Sequence, residues 1–233
     1  MESPLEVQRL RSVYQEYTGR GLGSSKWSSS NRGNEAIIRE RSQKTLDCLQ
    51  NAGLLPLSER RILDVGCGAG GTLATFKDWG AKPQNLFGVD LLPERIQRAQ
   101  ERYPEFTFQQ ANAESLPFVG DSFDLVVLFT VFTSILDPKM ATNIAREISR
   151  VLRRAGAILW YDFRFNNPFN RHVRGMTRNS ISQLFPDFDS RLRSITLFPP
   201  LARHMGQMTD ILYPALAGLP FLRTHYLGLL IKS

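Results

Sequence analysis

The chain reads as an α/β fold with a mostly parallel sheet and helices on both faces. Two observations carry this. Strand-like and helix-like segments alternate from about Arg61 onward, the order that builds parallel sheets. Within that stretch the apolar run Ile62-Leu63-Asp64-Val65 breaks into the glycine-rich Gly66-Cys67-Gly68-Ala69-Gly70-Gly71 and then into a periodic helix with Leu73, Phe76 and Trp79. Glycine allows backbone angles and close ligand approach that a Cβ would block. A glycine turn between strand and helix therefore offers main chain and a helix N-terminus to a ligand.

The elements follow in order. Leu10, Val13, Tyr14 and Tyr17 fall at helical spacing, giving a short N-terminal helix. The Gly/Ser-rich stretch from Thr18 to Ser30 reads as a mobile loop. Ile38, Thr45, Leu46 and Leu49 mark a longer helix leading to the first strand. The second strand, Leu86-Phe87-Gly88-Val89, ends in Asp90, and Pro93 opens the next helix at the position proline tolerates best. Phe106 to Gln110 and Asp121 to Phe129 are the third and fourth strands. Ile144, Ile148, Val151 and Leu152 mark the helix before a fifth strand at Ala157 to Tyr161. Thr177 caps a helix ending near Phe185-Pro186, and Arg191 to Phe198 and Tyr226 to Ile231 are the last two strands.

An acid at a strand end after a glycine turn suits a ribose. The turn is G-x-G-x-G with Asp64 two residues ahead, whereas a dinucleotide fingerprint is G-x-G-x-x-G. A carboxylate there would repel a pyrophosphate and suits a cationic amine or sulfonium. Together with Asn112-Ala113-Glu114-Ser115-Leu116-Pro117-Phe118 and Ser122-Phe123-Asp124, these motifs resemble the class I S-adenosylmethionine-dependent methyltransferases from about Arg61 to Asp162.

The resemblance implies a Rossmann-like, doubly wound sheet of seven strands with the last strand antiparallel. It implies a helical N-terminal lid and linker helix over residues 1–58 and a cofactor-binding core over 59–233. Asp64, Gly66, Cys67, Gly68 and Gly70 would surround the methionine end, Asp90 the ribose, and Leu91, Asn112 and Ala113 the adenine. The backbone at Phe129 would approach the methionine amine. Asn112 stands where the family most often has an aspartate, although its carbonyl can still accept from an adenine amino group.

Acceptor residues belong beyond the carboxyl ends of the strands. Tyr14, Tyr17 and Trp27 are lid candidates; Arg164, Asn166 and Arg174 are acceptor-binding candidates, because arginine forks recognise anions. His172 is the leading general-base candidate, since imidazole titrates near neutral pH, and Asp162 is a second. Acceptor-side insertions are expected at about 164–176 and at 201–222, the latter covering the pocket.

The 233 residues, 42% apolar and 22% charged, suit one domain with additions. No apolar run is long enough to span a membrane, and the N-terminus lacks the order of a signal peptide. The two cysteines, Cys48 and Cys67, point to reduced thiols and a cytoplasmic setting, with no metal site. The net charge of +7 is spread along the chain without a dense basic block, which argues against nucleic acid and leaves a membrane surface open. The expected function is methyl transfer to a small-molecule acceptor, at an oxygen of a secondary metabolite or saccharide. Alternatives are a lipid or quinone acceptor at a membrane surface, and a non-catalytic cofactor-binding subunit.

Overall fold

The computed structural model describes residues 3–19, 30–168 and 170–233. Trp27 and most of the Gly/Ser-rich stretch lie outside the described residues. The chain runs α1 (Pro4–Gly19), α2 (Arg32–Asn51), β1 (Ile62–Val65), α3 (Gly71–Asp78), β2 (Leu86–Asp90), α4 (Pro93–Arg102), β3 (Thr107–Gln110) and β4 (Phe123–Phe129). It continues through α5 (Pro138–Val151), β5 (Leu152–Phe163), α6 (Arg178–Leu184), β6 (Phe188–Leu197), α7 (Pro199–His204), α8 (Thr209–Ala217) and β7 (Arg223–Lys232).

Seven strands form one sheet in the order β3-β2-β1-β4-β5-β7-β6. Strands β1 to β5 pair in parallel, and β7 enters antiparallel between β5 and β6. The strand order reverses between β1 and β2 on one side and β4 on the other, so the crevice beyond the carboxyl end of β1 is the switch point where such sheets take ligands.

Burial on both faces explains the near-continuous apolar runs of β1 and β4. On one face Leu128, Ile158 and Trp160 pack with Ile144 and Ile148 of α5 and Phe185 after α6. On the other, Leu125, Val127 and Leu159 pack with Leu49 of α2, Phe76 of α3 and Ile96 of α4. The Thr177 side chain accepts from the Ser180 N–H and caps α6.

Two sequence expectations change. Helix α2 turns Ile37 inward and leaves Ile38 exposed, because its inner face is set by Ala36, Ile37 and the 198–222 segment. That segment does not cover the crevice. Ala202, Tyr213 and Ala217 pack with Ala36, Ile37 and Leu197 in a third cluster, and a Cβ on Gly33 would lie 2.1 Å from the Ala202 carbonyl oxygen. Residues 201–222 are therefore a buttress on α2 and the β6 edge. No helix among the described residues is long and apolar enough to cross a membrane.

Candidate active site

The glycine turn after β1 folds as its composition requires. Gly66, Gly68 and Gly70 hold φ of 74°, 54° and 81°, the left-handed region where a Cβ is strained. The Gly66 and Cys67 N–H groups both donate to the Val89 carbonyl, at 2.8 and 3.0 Å. A Cβ on Gly68 would meet nothing within 4 Å, so the turn leaves open space in front of it. The Cys67 thiol is buried, and burial beside Asp64 and Asp90 pushes its pKa up. It lines the inner side of the turn as a small apolar group.

Asp90 joins the turn to the end of β2. Its carboxylate accepts from the Gly68 N–H and the Leu92 N–H, each at 3.0 Å, and stands 3.6 Å from Arg95. A carboxylate offers about four lone-pair sites, so acceptor capacity remains for a vicinal diol. Asp64 is 2% exposed near the end of β1, and its Oδ2 has no hydrogen-bond partner among the described residues. Burial, with Asp90 nearby, raises its pKa well above the usual carboxylate range, and Arg41 opposes the shift. An unpaired buried carboxylate is costly; this one lies directly before Val65 and Gly66, which line the switch-point crevice.

That crevice is a cavity of about 280 Å³, lined by Gly66, Asp90, Leu91, Asn112, Ala113 and Phe129 from the strand ends. Thr130, at φ 57°, turns the chain out of β4 along its wall. Leu10 and Tyr14 of α1 close the opposite side. Tyr14 meets Ser134 Oγ at 2.9 Å and lies 4.3 Å beneath the Arg95 guanidinium.

Helix α1 is pinned by two buried carboxylates whose partners lie far off in sequence. Glu6 accepts from the Leu136 N–H at 2.6 Å and pairs with Arg9 at 2.7 Å. Glu114 accepts from the Ser3 N–H at 2.9 Å and Asn143 Nδ2 at 2.8 Å. Burial pushes both carboxyl groups up, but these bonds outweigh it and hold both below the usual value. Asn112 is committed here too: its Oδ1 accepts from the Glu114 N–H at 3.1 Å, so an adenine amino group would have to share it.

The expected acceptor residues do not converge on this cavity. Arg164 stacks over Phe165 and Tyr226 and donates to the Pro220 carbonyl. Asn166 Oδ1 accepts from the Gly175 N–H at 2.9 Å, which folds 166–175 into a closed loop. Within it His172 is held through its backbone to Asn170, and Arg174 bonds Thr133 through its own backbone. Tyr17 reaches that loop at Asn170 rather than the cavity. Asp162 is 1% exposed and accepts from the Thr133 and Phe163 N–H groups at 2.9 and 2.8 Å. Burial pushes its pKa up to about 7. It fastens the segment after β4 to the end of β5, sealed from any acceptor.

One residue was passed over in the sequence. Arg41 of α2 places its guanidinium 5.1 Å from the Phe129 ring centroid and 5.3 Å from that of Tyr161. It lines a small second cavity with Thr45, Gly71, Thr72 and Phe129. Thr45 Oγ1 is buried there without a partner among the described residues. Because Phe129 borders both cavities, this cation sits beside the glycine turn from the far side.

Residues 62–156 match the family described as "Methyltransferase domain". The chain is 34% identical over 130 residues to a phthiotriol/phenolphthiotriol dimycocerosates methyltransferase of Mycobacterium leprae, covering 55% of this chain and 47% of that protein. It is 30% identical over 139 residues to the sterol 4-C-methyltransferase strm-1 of Caenorhabditis elegans, covering 57% and 40%. The chain thus spans about half or less of the length of these relatives. In fold it is similar to the crystal structure of 1,6-didemethyltoxoflavin-N1-methyltransferase of Burkholderia thailandensis, with a TM-score of 0.66, 18% identity, and 100% and 92% of the two chains covered. The glycine turn, the acid ending β2 and the antiparallel β7 agree with these likenesses: residues 62–156 match a methyltransferase domain, and the chain has the fold of S-adenosylmethionine-dependent methyltransferases.

Proposed function

We propose that this chain transfers a methyl group from S-adenosylmethionine to a small-molecule acceptor with an oxygen nucleophile. The observation that carries the proposal is Asp64, a buried carboxylate with an unpartnered oxygen beside an open glycine turn. A pyrophosphate would be repelled there, whereas an ammonium group would supply the missing partner. Asp64 and the turn from Gly66 to Gly70 would hold the amino-acid end of the cofactor, with its carboxylate toward Arg41. Asp90 would take the ribose hydroxyls, and Leu91, Asn112 and Ala113 the adenine. Phe129 lines both cavities, and its backbone would approach the methionine amine. When bound, the cofactor supplies an electrophilic methyl group on a sulfonium.

The chain's own residues then have to orient the acceptor and exclude water. Tyr14 and Leu10 close the cavity on one side, and the segment from Thr130 to Ser134, fastened by Asp162, forms another wall. No titratable side chain of the 164–176 loop reaches the cavity lining, which favours an acceptor whose oxygen ionises before it binds, such as a phenol or enol. A second reading, a lipid or quinone acceptor, is favoured by the uncharged stretch from Ile211 to Leu222. The intact turn argues against a non-catalytic subunit.

Methyl-labelled S-adenosylmethionine offered with a phenol, a monosaccharide, a quinol and a sterol tests the proposal, with products read by mass spectrometry. Label on a phenolic or saccharide oxygen supports it. Label on the quinol or the sterol alone moves the assignment to the second reading. Cofactor binding without label on any acceptor in the panel contradicts the proposed reaction for these classes.

A further inference from the structure

Exposed large apolar side chains concentrate in one segment. Phe198, Met208, Ile211, Leu212, Leu219 and Phe221 all stand in solvent, Ile211 at 69% and Phe221 at 72% exposure. Between Asp210 and Arg223 the sequence carries no charged residue. Helix α8 buries Thr209, Tyr213 and Ala217 against α2 and β6, so Ile211, Leu212, Pro214 and Ala215 form its outer face. A surface helix ordinarily turns charge outward; beyond Asp210 in its first turn this one is apolar on both sides. A contiguous exposed apolar patch marks an interaction surface.

The rim of the patch is cationic. Arg223 donates to the Ala217 and Gly218 carbonyls at 2.6 and 3.2 Å, and Arg164 to the Pro220 carbonyl at 3.3 Å. Neither is neutralised by a carboxylate among the described residues: Arg223 also donates to the Ser194 carbonyl at 3.3 Å and Arg164 stacks on Phe165 and Tyr226, so both half-buried groups keep their charge at the base of the Leu219–Phe221 turn. On the far flank Arg32 and Arg39 share one carboxylate, Asp210, at 3.9 and 3.5 Å. An apolar tip within a collar of guanidinium groups complements a layer that is anionic at its surface and apolar beneath. Position agrees as well. Leu197, at the end of β6, pairs with Arg223, and Phe163, at the end of β5, pairs with His225. The patch therefore lies at the carboxyl edge of the sheet, the edge that holds the cavity.

We infer that the 198–222 face docks on a membrane surface containing anionic phospholipid. Ile211, Leu212, Leu219 and Phe221 enter the headgroup–acyl boundary, and Arg164, Arg223, Arg32 and Arg39 meet the phosphates. This holds whichever acceptor is methylated.

Flotation of the full chain with phosphatidylcholine vesicles, with and without phosphatidylglycerol, tests the inference. The chain should float with the phosphatidylglycerol vesicles, and less so as salt rises, because exposed charges are screened within about 8 Å at physiological ionic strength. An Ile211→Ser, Phe221→Ser double variant should lose at least about tenfold in partitioning, as removal of two large apolar groups from the layer requires. Its melting temperature and cofactor titration should be unchanged, which separates lost docking from lost folding or a failed cofactor site. Absence of flotation on anionic vesicles, or flotation that the double variant retains, overturns the inference. So does a concentration-dependent dimer in sedimentation that the double variant abolishes, since the patch would then be an interface between two copies.

Discussion

The Gly68 N–H donates to Asp90 Oδ2 at 3.0 Å, tying the turn after β1 to the end of β2. Asp90 therefore shapes the site as well as offering acceptors to it. Asp90→Ala should lower S-adenosylmethionine affinity at least about tenfold, since a hydrogen bond to a charged group contributes roughly 1.5–3 kcal/mol. It should also lower stability by about 1–3 kcal/mol, because the Gly68 and Leu92 N–H groups lose their acceptor. Calorimetric titration and urea unfolding measure the two effects; loss of affinity without loss of stability would show that the Gly68 bond does not hold the turn.

Asp64 should give cofactor binding a pH dependence. Burial raises its pKa in the free protein, and a bound ammonium group favours the anion. Affinity should therefore rise as pH rises through the pKa of the free protein, with proton release below it, visible as buffer-dependent binding enthalpy. Asp64→Asn should remove that dependence and cost at least about tenfold in affinity. Methylthioadenosine, which lacks the amino-acid end, should bind both forms alike. Equal losses for both ligands would place Asp64 elsewhere in the site.

Asp162 makes a separate prediction about stability. Its pKa is raised to about 7 in the folded chain, against about 3.9 unfolded. Between those values the folded state binds more protons than the unfolded, so stability falls as pH rises. The contribution is fully present below about pH 4 and is lost as pH climbs through the folded value. Asp162→Asn mimics the protonated acid and should lack this fall. Urea unfolding across that range, for wild type and variant, should give curves that diverge with rising pH; parallel curves would contradict it.

His172 offers a sharper contrast with the sequence reading. It sits in a loop closed by Asn166 and Gly175 and does not line the cavity. His172→Ala should leave turnover and its pH dependence unchanged in steady-state kinetics. A lost limb in the pH–rate profile would return it to the site.

Local features were legible in the sequence. The glycine turn, the strand ending at Asp90, the Thr177 cap and the alternation of strands and helices each follow from spacing and backbone preference within a few residues. Contacts between distant segments were not. Arg41 lies within Arg-Glu-Arg-Ser-Gln-Lys, which reads as a solvated helix face; only the packing of α2 beside β4 brings it to Phe129. Glu6 and Glu114 look like ordinary surface acids until Leu136 and Ser3 meet them. The 164–176 loop has the composition of an acceptor site, but the Asn166–Gly175 bond turns it aside. Residues 201–222 were read correctly as an addition before the last strand, and their apolar content fits a buttress on α2 as well as it fits a cover.

Titration calorimetry with S-adenosylmethionine, its demethylated product and NAD decides which nucleotide the glycine turn holds. The first two should bind saturably and NAD not at all. At a concentration one hundred times its dissociation constant, S-adenosylmethionine should stabilise the fold by about 2.7 kcal/mol. Saturable NAD binding with no response to S-adenosylmethionine would contradict the cofactor assignment.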